Sequence, residues 1–485
     1  MIRQLQNGAF MKNTPVYLTF LICVLSILSA CVSIATAQPV DLIIEGDYIV
    51  TMDAKNTIIR DGAVAIRAGE IVAVDSRVAI HAGFRAGKIV SGEDRILMPG
   101  LVNGHSHMAM TLLRGLADDL DLMTWLNDFI FPAEVGFVDE AFVRTGTDLA
   151  CWEMLAGGTT TVVDMYYFPN TVAESLEDCG MRGIVAATVI GQESPDAKTP
   201  ELGLKNAGEF INRWKDRSDR VTPALGPHAI YTTPPAILLQ VRDAALAADV
   251  PISMHIAESK SEIDFAINEY QLSTISLLDR IDFFTPNLRM IGAHVVYPSH
   301  KEMVLLATHR VGAIHNPTSN MKVTAGVAPI GDLRAAGVKV GLGTDGAASN
   351  NDLDMWEEMR LATLLQKITH GDPTLLPARQ VLRMATIDGA AAIGLFDEIG
   401  SIETGKRADL IQVALSAPHM LPLYDVESHL VYVADSQDVV TVLVEGALLV
   451  EDRAFLKLNI EAIRVAVEDF RLKIAAGILG DQTQK

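Results

Sequence analysis

The stretch LMPGLVNGHSHMAMTLLRG, residues 97–115, places two histidines directly after an apolar run that contains Pro-Gly. Side chains of a β-strand alternate between its two faces, so His105 and His107 are expected to point to the same side. Three interpretations fit such a pair: a metal site, a proton relay, or two polar side chains on the wet face of a sheet. The pattern of the remaining chain decides between them.

Further apolar runs follow the first one and give the chain a regular rhythm. In order, the eight runs are LMPGLVNGH (97–105), TTTVVDM (159–165), GIVAATVI (183–190), VTPALGPH (221–228), PISMHIA (251–257), MIGAHV (290–295), VGAIHNP (311–317) and KVGLGTD (339–345). Stretches of helical character lie between most of them, which indicates right-handed βαβ units and a parallel sheet. Eight such units predict an α/β fold, a closed (β/α)8 TIM-type barrel. A doubly wound open sheet is the structural alternative, but no GxGxxG follows the first strand.

The two flanks of this region have a different pattern, with short alternating strands and Gly or Asp at the turns. They cover residues 41–90 near the start and residues 400–453 near the end. Neither flank can bury its apolar face alone, so together they predict one small β-sandwich domain. The predicted domains are residues 38–95 and 401–485 for the two sandwich parts, the second with a C-terminal helix, and residues 96–400 for the barrel.

Residues 1–37 have the layout of a secretory signal, with a lysine, an apolar run and small residues at the end. LSAC (28–31) resembles a bacterial lipoprotein processing box that would leave Cys31 lipidated, whereas cleavage after ATA (35–37) would release a soluble protein. An uncleaved membrane anchor is a third reading. We therefore expect export to the bacterial periplasm or to its membrane surface, with membrane contact only through a lipid anchor or an uncleaved signal.

Composition narrows the classes of partner. The chain has 485 residues, 49% of them hydrophobic, and a formal net charge of −21. An acidic surface repels phosphate backbones, which argues against nucleic acid and leaves a small-molecule substrate and a homo-oligomer as the expected partners. Cys151 and Cys179 form no CxxC pair, and both buried thiols and an isolated disulfide remain open.

Chemistry-bearing residues cluster where the predicted strands end. They are His105 and His107 on run one, His228 on run four, His255 and Glu258 after run five, His294 on run six, His315 on run seven and Asp345 on run eight. In a (β/α)8 barrel these ends converge on one mouth. Neutral imidazoles and one carboxylate bind a divalent metal and leave a position for water, which the metal activates.

This clustering predicts the role of each group. His105, His107, His255 and Asp345 are the predicted metal ligands, and Asp345 is also placed to accept the proton of the water. Glu258 is the predicted general acid/base, and His294 is expected to orient or polarise the reacting centre.

Five stretches carry a resemblance to a known family: PGLVNGHSH (99–107), HIAES (255–259), AHVVY (293–297), HNPTSNMK (315–322) and GLGTDGAASNNDLDMWEEMRLATLLQK (341–367). They resemble the amidohydrolase superfamily, and within it the S-adenosylhomocysteine/methylthioadenosine deaminases and their triazine-hydrolase (chlorohydrolase) relatives. The resemblance implies one Zn²⁺ or Fe²⁺ ion, with Zn²⁺ expected. Dinuclear members carry a bridging lysine, usually at the end of strand four, and VTPALGPH has no lysine.

The resemblance also implies a reaction. It implies a metal-dependent hydrolytic deaminase of an aminated purine nucleoside or related heterocycle, of the adenosine, methylthioadenosine or S-adenosylhomocysteine type. In the implied reaction, hydroxide attacks the amine-bearing ring carbon, Glu258 protonates the ring nitrogen, and ammonia leaves. Glu134 matches a glutamate that contacts the ribose hydroxyls, and His228 matches a histidine that contacts the purine. Trp125 is expected to help close the pocket, and Asn316 is the fourth expected substrate contact.

Two other classes remain as alternatives on the same chain. The first is another enzyme on the same metal site, either a triazine-type chloro- or aminohydrolase or a guanine- or pterin-type deaminase. The second is a catalytically silent binding protein of this fold. The chain also departs from the deaminase pattern. Some methylthioadenosine-type deaminases have arginines at and after strand three, but residues 183–198 contain none; Arg182 precedes that strand, and Lys198 is the one substitute.

Overall fold

The computed structural model describes residues 37–482, so the predicted leading segment, except for its last residue, lies outside the described residues. Among the helices of the described part, none combines the length and the apolar character that a bilayer crossing requires.

Strands form two separate sheets in the described chain. In order, they are β1 (Gln38–Val50), β2 (Ile58–Arg67), β3 (Glu70–Ser76), β4 (Phe84–Val90), β5 (Arg95–Pro99), β6 (Leu101–Ser106), β7 (Thr159–Tyr166), β8 (Arg182–Val189), β9 (Val221–Pro227), β10 (Ile252–Ile256), β11 (Met290–His294), β12 (Gly312–His315), β13 (Lys339–Leu342), β14 (Leu410–Ala414), β15 (Val439–Val444), β16 (Ala447–Glu451) and β17 (Ala454–Phe455).

Strands β6 to β13 form the barrel. Each pairs in parallel with its neighbour in chain order, and each corresponds to one apolar run of the sequence. The backbone N–H of Asp345 donates to the carbonyl of His105 at 3.0 Å, which joins the last strand to the first. Val102, Val163 and Ile184 belong to an apolar cluster inside the barrel, so the interior is a packed core. The predicted TIM-type barrel is confirmed.

Helices lie between the barrel strands and at both ends of the sheet domain. The α-helices are Arg77–Gly83, Leu122–Thr124, Phe131–Phe137, Glu140–Ala156, Pro169–Cys179, Pro200–Trp214, Pro235–Ala248, Lys260–Tyr270, Thr274–Arg280, His300–Thr308, Pro317–Lys322, Ile330–Ala335, Met355–His370, Ala378–Met384, Ile387–Ala392, Val426–Tyr432 and Ile460–Gln482. Shorter 3₁₀ segments are Met108–Leu113, Pro418–Met420 and Ser436–Asp438, and Trp125–Ile130 is a π-helical turn. Local sequence sets these boundaries: Asp139 accepts the N–H of Phe142 and thereby caps the helix that begins at Glu140.

The two flanks join into one sheet domain, as the sequence predicts, and all of its described strands belong to one mixed sheet. Strand β14 of the second flank pairs antiparallel with β5 of the first, and the sheet order is β17-β16-β15-β14-β5-β1-β2-β3, with β4 also on β1. Its apolar core combines Leu42, Leu97 and Leu410 from both flanks. Strand β5 extends this sheet to Pro99, so the barrel begins at Leu101, a few residues after the predicted boundary at 96.

A buried ion pair joins the barrel to the sheet domain. Arg182, at the start of β8, lies with Nε 2.8 Å from Oδ2 of Asp409, which immediately precedes β14, and both side chains are almost fully buried. Asp409 Oδ1 also accepts the backbone N–H of Glu445 at 2.7 Å. The pair lies where β8 begins, at the opposite end of the barrel from the mouth.

The two cysteines of the barrel face each other. Cys151 lies on the helix Glu140–Ala156 and Cys179 ends the helix Pro169–Cys179. Their Sγ atoms are 2.6 Å apart, and both side chains are buried as free thiols in this structure.

Candidate metal centre and substrate cavity

Four histidines and one aspartate converge where the barrel strands end. Asp345 Oδ1 lies 3.3 Å from His105 Nε2 and 3.2 Å from His107 Nε2. His255 Nε2 lies 3.2 Å from His107 Nε2, and His294 Nε2 lies 4.0 Å from Asp345 Oδ2. Both histidines of NGHSH therefore face the same oxygen, as the strand alternation predicts.

The backbone holds this cluster in a strained conformation. Asp345 and His294 have positive φ angles of 64° and 73°, in a region that residues other than glycine rarely adopt. Such strain persists where surrounding contacts fix it, typically at functional sites. For Asp345 these contacts come from two hydroxyls: Ser319 and Ser349 donate to Oδ2 at 2.7 and 2.9 Å. Oδ1 is thereby aimed at the histidines.

Contacts behind the rings set which nitrogen faces the cluster. The Nδ1 of His107 lies 2.5 Å from the carbonyl of Met165, and the Nδ1 of His255 lies 2.8 Å from the carbonyl of His228. A carbonyl only accepts, so each Nδ1 carries a hydrogen, and Nε2 is the atom that faces the centre and is available to bind a metal ion. Histidine ligands of metal ions are typically oriented in this way.

A divalent metal ion fits these donors. Ligand atoms of His105, His255, His294 and Asp345 lie within 4.8 Å of one another, and His107 adjoins the group. Both ring nitrogens of the fully buried His105 lack a hydrogen-bond partner, and so does Nε2 of His294. Buried polar atoms without a partner are costly, and coordination to a cation removes that cost.

The electrostatics agree with a cation at this point. Burial lowers the pKa of His105 to about 4 and holds that of His255 well below its ordinary value, so both are in the neutral, ligating form. Burial alone would also lower the pKa of His107, but the hydrogen bond and charge of Asp345, together with the Met165 carbonyl and the charge of Asp164, raise it to about 9. Burial alone would raise the pKa of Asp345, yet the close contacts of this carboxylate with His105 and His107 hold it well below its ordinary value. A proton held between His107 and Asp345 thus lies at the position where a cation would bind.

Glu258 is a buried carboxyl beside this centre. Its Oε1 lies 3.7 Å from His294 Nε2, and burial raises its pKa to about 7. The loop that carries it is fixed by Glu262, whose carboxylate accepts the backbone N–H groups of Ala257 and Glu258 at 3.0 and 2.8 Å. At neutral pH, Glu258 is therefore partly protonated and can both give and take a proton.

The His294 ring is held from behind by amide groups. Its Nδ1 lies 2.8 Å from Asn320 Oδ1 and 3.3 Å from Asn316 Nδ2. Asn316 is buried behind the ring and is not one of the residues that line the cavity. In this position Asn316 contacts the His294 ring, and its contact with a substrate stays a prediction.

A cavity opens from the metal donors. Its lining residues are His107, Met110, Leu122, Trp125, Leu126, Phe131, Glu134, Met165, Tyr166, Tyr167, Thr188, His228, Tyr231, His255, Glu258, His294, Ser319, Asp345 and Ser349. Three of the four predicted substrate contacts, Trp125, Glu134 and His228, lie on this wall. The buried His315 at the end of β12 does not.

Glu134 is a buried carboxyl on the cavity wall rather than a solvated one at a helix start. It lies in the helix Phe131–Phe137 and is 3% exposed. The Tyr167 hydroxyl donates to its Oε2 at 3.3 Å, and burial raises its pKa to about 7. A carboxylate held in this way can accept hydrogen bonds from neighbouring hydroxyl groups.

His228 and Trp125 complete the polar part of the wall. Burial, followed by the charges of His107 and His105, lowers the pKa of His228 to about 3, so its ring is neutral. Its Nδ1 lies 2.8 Å from the hydroxyl of Thr232. The indole N–H of Trp125 is buried without a partner. The Trp125 side chain lines the cavity, as expected of a residue that helps to close it.

Several residues that matter here were missed by the sequence reasoning. Tyr166, Tyr167, Ser319, Ser349, Asn320 and Glu262 all contact the predicted groups or the cavity. A signal exists for the two tyrosines, since they directly follow run two at the end of a barrel strand. For the others, the sequence carries no spacing that distinguishes them from ordinary polar loop residues.

Comparisons with known proteins agree with this geometry. The model of the Amidohydrolase family matches residues 96–449. A 5-methylthioadenosine/S-adenosylhomocysteine deaminase of Pelotomaculum thermopropionicum is 41% identical over 90% of this chain and 99% of its own length. A 5′-deoxyadenosine deaminase of Methanococcoides burtonii is 40% identical over 86% and 94%. The crystal structure of an adenosine deaminase from Xanthomonas campestris with bound zinc superimposes with a TM-score of 0.88 at 38% identity, and covers 91% of this chain and 100% of that one. The present chain belongs to the amidohydrolase family.

Proposed function

We infer that this protein is a metal-dependent hydrolytic deaminase that removes the ring amine of an adenosine-type nucleoside. One observation carries the inference: a single cavity holds the histidine–aspartate cluster, the buried acid Glu258 and a second buried carboxyl, Glu134. The first two supply the chemistry of C–N hydrolysis, and the third suits a sugar with free hydroxyls. Relatives of about 40% identity that bear deaminase names support it.

We propose Zn²⁺ as the metal, with Fe²⁺ as the alternative, and His105, His107, His255 and Asp345 as its ligands. The orientation of the two Nε2 atoms, the lack of partners around His105 and the zinc in the related structure support this assignment. The bound cation supplies Lewis acidity, which makes a water molecule nucleophilic at neutral pH.

The residues around the metal move the protons of the reaction. Asp345 accepts a proton from the attacking water. The oxygen of this water bonds to the ring carbon that carries the amine. Glu258 delivers a proton to the adjacent ring nitrogen, for which its pKa of about 7 is suited. Asp345 then passes its proton to the amine, the C–N bond breaks and ammonia leaves, and the hydroxyl proton returns to Glu258 as the carbonyl forms. His294, held by Asn316 and Asn320, orients the reacting centre.

The wall of the cavity orients the nucleoside. Glu134 accepts hydrogen bonds from the two ribose hydroxyls, and Tyr167 fixes the direction of its carboxylate. His228, neutral and on the same wall, contacts the purine ring. Trp125 covers the sugar with its apolar ring, and its free N–H is available as a donor.

Ammonia release from a panel of compounds tests this function. Zinc-loaded protein is assayed with adenosine, methylthioadenosine, S-adenosylhomocysteine, guanine, pterin and a chlorinated triazine. We expect the adenosine derivatives to react, treatment with a chelator to abolish the activity, and added Zn²⁺ to restore it. Preference for the triazine supports the alternative hydrolase, and full activity of metal-free protein contradicts the mechanism.

Export of the protein is a separate proposal, and it rests on residues 1–37. Fractionation of bacterial cells that express the full chain should place the enzyme in the periplasm or on the membrane. Cys31→Ala distinguishes the two cleavage sites, since it abolishes incorporation of a labelled fatty acid only if Cys31 is lipidated. Recovery of the full-length chain in the cytoplasm contradicts export.

A homo-oligomeric state is also proposed. Leu364 and Ile368 on the helix Met355–His370 are 46% and 79% exposed, which is unusual for neighbouring large apolar residues on one helix. Sedimentation analysis should give a mass above that of one chain, and Ile368→Glu should lower it. A wild-type monomer at micromolar concentration contradicts the proposal.

A further inference from the structure

The cavity changes character along its length. At the metal end its wall is polar, with histidines and carboxyl groups. The wall contributed by the segment after β6 is mostly hydrocarbon and aromatic, with Met110, Leu122, Trp125, Leu126 and Phe131, and Glu134 is its one carboxyl group. In the proposed orientation, with the base at the metal and the ribose at Glu134, the 5′ substituent would lie against these apolar groups.

Positive charge is missing from this surface. No lysine or arginine is found among the described residues that line the cavity. The segment between Arg114 and Arg144 also contains no basic residue, and its acids are Asp118, Asp119, Asp121, Asp128, Glu134, Asp139 and Glu140. The potential around the outer cavity is therefore negative.

A cation that does reach this segment is already paired. The ammonium of Lys322 lies 2.5 Å from Asp118 Oδ1, and it also contacts the side-chain oxygen of Asn351. These contacts of the Lys322 ammonium join the segment to the helix Pro317–Lys322. It is not free to bind a carboxylate of a substrate without breaking these contacts.

The cations that the sequence offers near strand three do not reach the cavity. Arg182 is buried against Asp409 at the start of β8, whereas the cavity lies at the end of that strand. Lys198 is exposed and does not line the wall. The residue of β8 that does line it is Thr188, which is half-buried and uncharged.

We propose that this enzyme selects adenosine derivatives with an uncharged 5′ substituent and discriminates against those whose 5′ chain ends in a carboxylate. The inference rests on the proposed deaminase function and narrows its substrate class to adenosine, 5′-deoxyadenosine and short 5′-alkylthioadenosines. A thioether or alkyl group gains free energy on the apolar wall. A carboxylate there loses its hydration without a cation or a set of donors to replace it.

Three substrates separate charge from length. Methylthioadenosine has a short uncharged chain, 5′-butylthio-5′-deoxyadenosine has a long uncharged chain, and S-adenosylhomocysteine has a long charged chain. We expect kcat/KM for the two uncharged compounds to agree within about tenfold, and that for S-adenosylhomocysteine to be lower than for the butylthio compound by about 10²-fold or more. Equal values for the last two overturn the inference. Absence of reaction with every adenosine derivative contradicts the proposed function itself, so the two failures are distinct.

A charge placed on the wall sharpens this test. Thr188→Arg introduces a guanidinium at the end of β8, and Thr188→Gln is the matched control of similar length without charge. We expect the ratio of kcat/KM for S-adenosylhomocysteine to that for the butylthio compound to be about tenfold higher in the arginine variant than in the glutamine variant. Identical ratios in two folded, zinc-loaded variants count against a charge-based selection. The wild-type comparison decides the matter if either variant fails to fold.

Discussion

The two ends of the cavity are built differently. At the metal end, the functional groups lie on or directly after barrel strands, and several are held by a second contact: Asp345 by Ser319 and Ser349, His255 by a backbone carbonyl. At the outer end, the wall comes from the segment after β6, which combines a 3₁₀ segment, a π-helical turn and short helices. The comparison indicates a division of roles: residues on the barrel strands carry the proposed reaction, whereas the segment after β6 selects the substrate.

The largest effect is expected from Glu258→Gln. Because the amide cannot deliver a proton to the ring nitrogen, kcat should fall on the order of 10²-fold or more. Zinc content should stay at the wild-type level, since Glu258 is not a proposed ligand. Steady-state kinetics and metal analysis of the same preparation measure both. Wild-type kcat in this variant shows that another group is the acid.

The next effect concerns the contacts behind the metal. Replacement of both Ser319 and Ser349 by Ala removes the two donors to Asp345 Oδ2. We expect zinc affinity to fall by about 10- to 100-fold, as for other contacts that orient ligands. Ser175→Ala, in a buried serine of the helix Pro169–Cys179, is the matched control. Competition with a zinc-binding dye measures the affinity; equal affinities for the double variant and the control contradict the role of the serines.

A smaller, pH-dependent effect is expected at the ribose. Burial raises the pKa of Glu134 to about 7, so the carboxylate is lost as the pH falls below this value. Binding of the ribose hydroxyls requires the ionised form, and KM should therefore rise at low pH and level off at high pH. Tyr167→Phe removes a hydrogen bond that favours the ionised form, so the rise in KM should move to higher pH.

Glu134→Gln is the control for this profile. It should raise KM at high pH by about tenfold, and it should remove the acid limb. A KM profile in Glu134→Gln that keeps the wild-type pH dependence shows that a different group titrates.

The smallest effect on activity is expected far from the mouth. Arg182→Met leaves Asp409 buried without its cation, and the free energy of unfolding should fall by about 3–5 kcal/mol. Values of kcat/KM for folded protein should not change, because the pair lies at the other end of the barrel. Arg182→Met combined with Asp409→Asn should recover part of the loss. Denaturant unfolding measures the loss of stability, and steady-state kinetics measure kcat/KM. Altered substrate selectivity in folded Arg182→Met protein would show that this end of the barrel affects the cavity at the other end.

The sequence could predict the metal end of the cavity because few folds place these polar residues in another arrangement. Polar residues at the ends of apolar runs share one location in a (β/α)8 barrel, which is its mouth. The sequence alone therefore places His105, His255 and Asp345 together. Asn316 could not be placed in this way. It adjoins the functional His294 in space, but whether its amide faces the cavity or the back of that ring depends on the backbone of the helix Pro317–Lys322.

The outer wall was less accessible to sequence reasoning. Trp125 and Leu126 lie on a π-helical turn, where the usual 3.6-residue spacing does not tell which side chains face inward. The burial of Glu134 depends on Tyr167, which is distant in sequence and close in space. The start of the barrel at β6, by contrast, differs from the predicted boundary by only a few residues, since the apolar run of β5 continues across Gly100 into β6.

Deamination in water enriched in ¹⁸O tests the central claim most directly. Methylthioadenosine is incubated with zinc-loaded protein, and the product is analysed by mass spectrometry together with the released ammonia. Hydrolytic attack at the amine-bearing carbon predicts one ¹⁸O bonded to that ring carbon in the product, one ammonia per turnover, and no product with chelated enzyme. A product that retains the amine, or that is cleaved between ribose and base, contradicts the account.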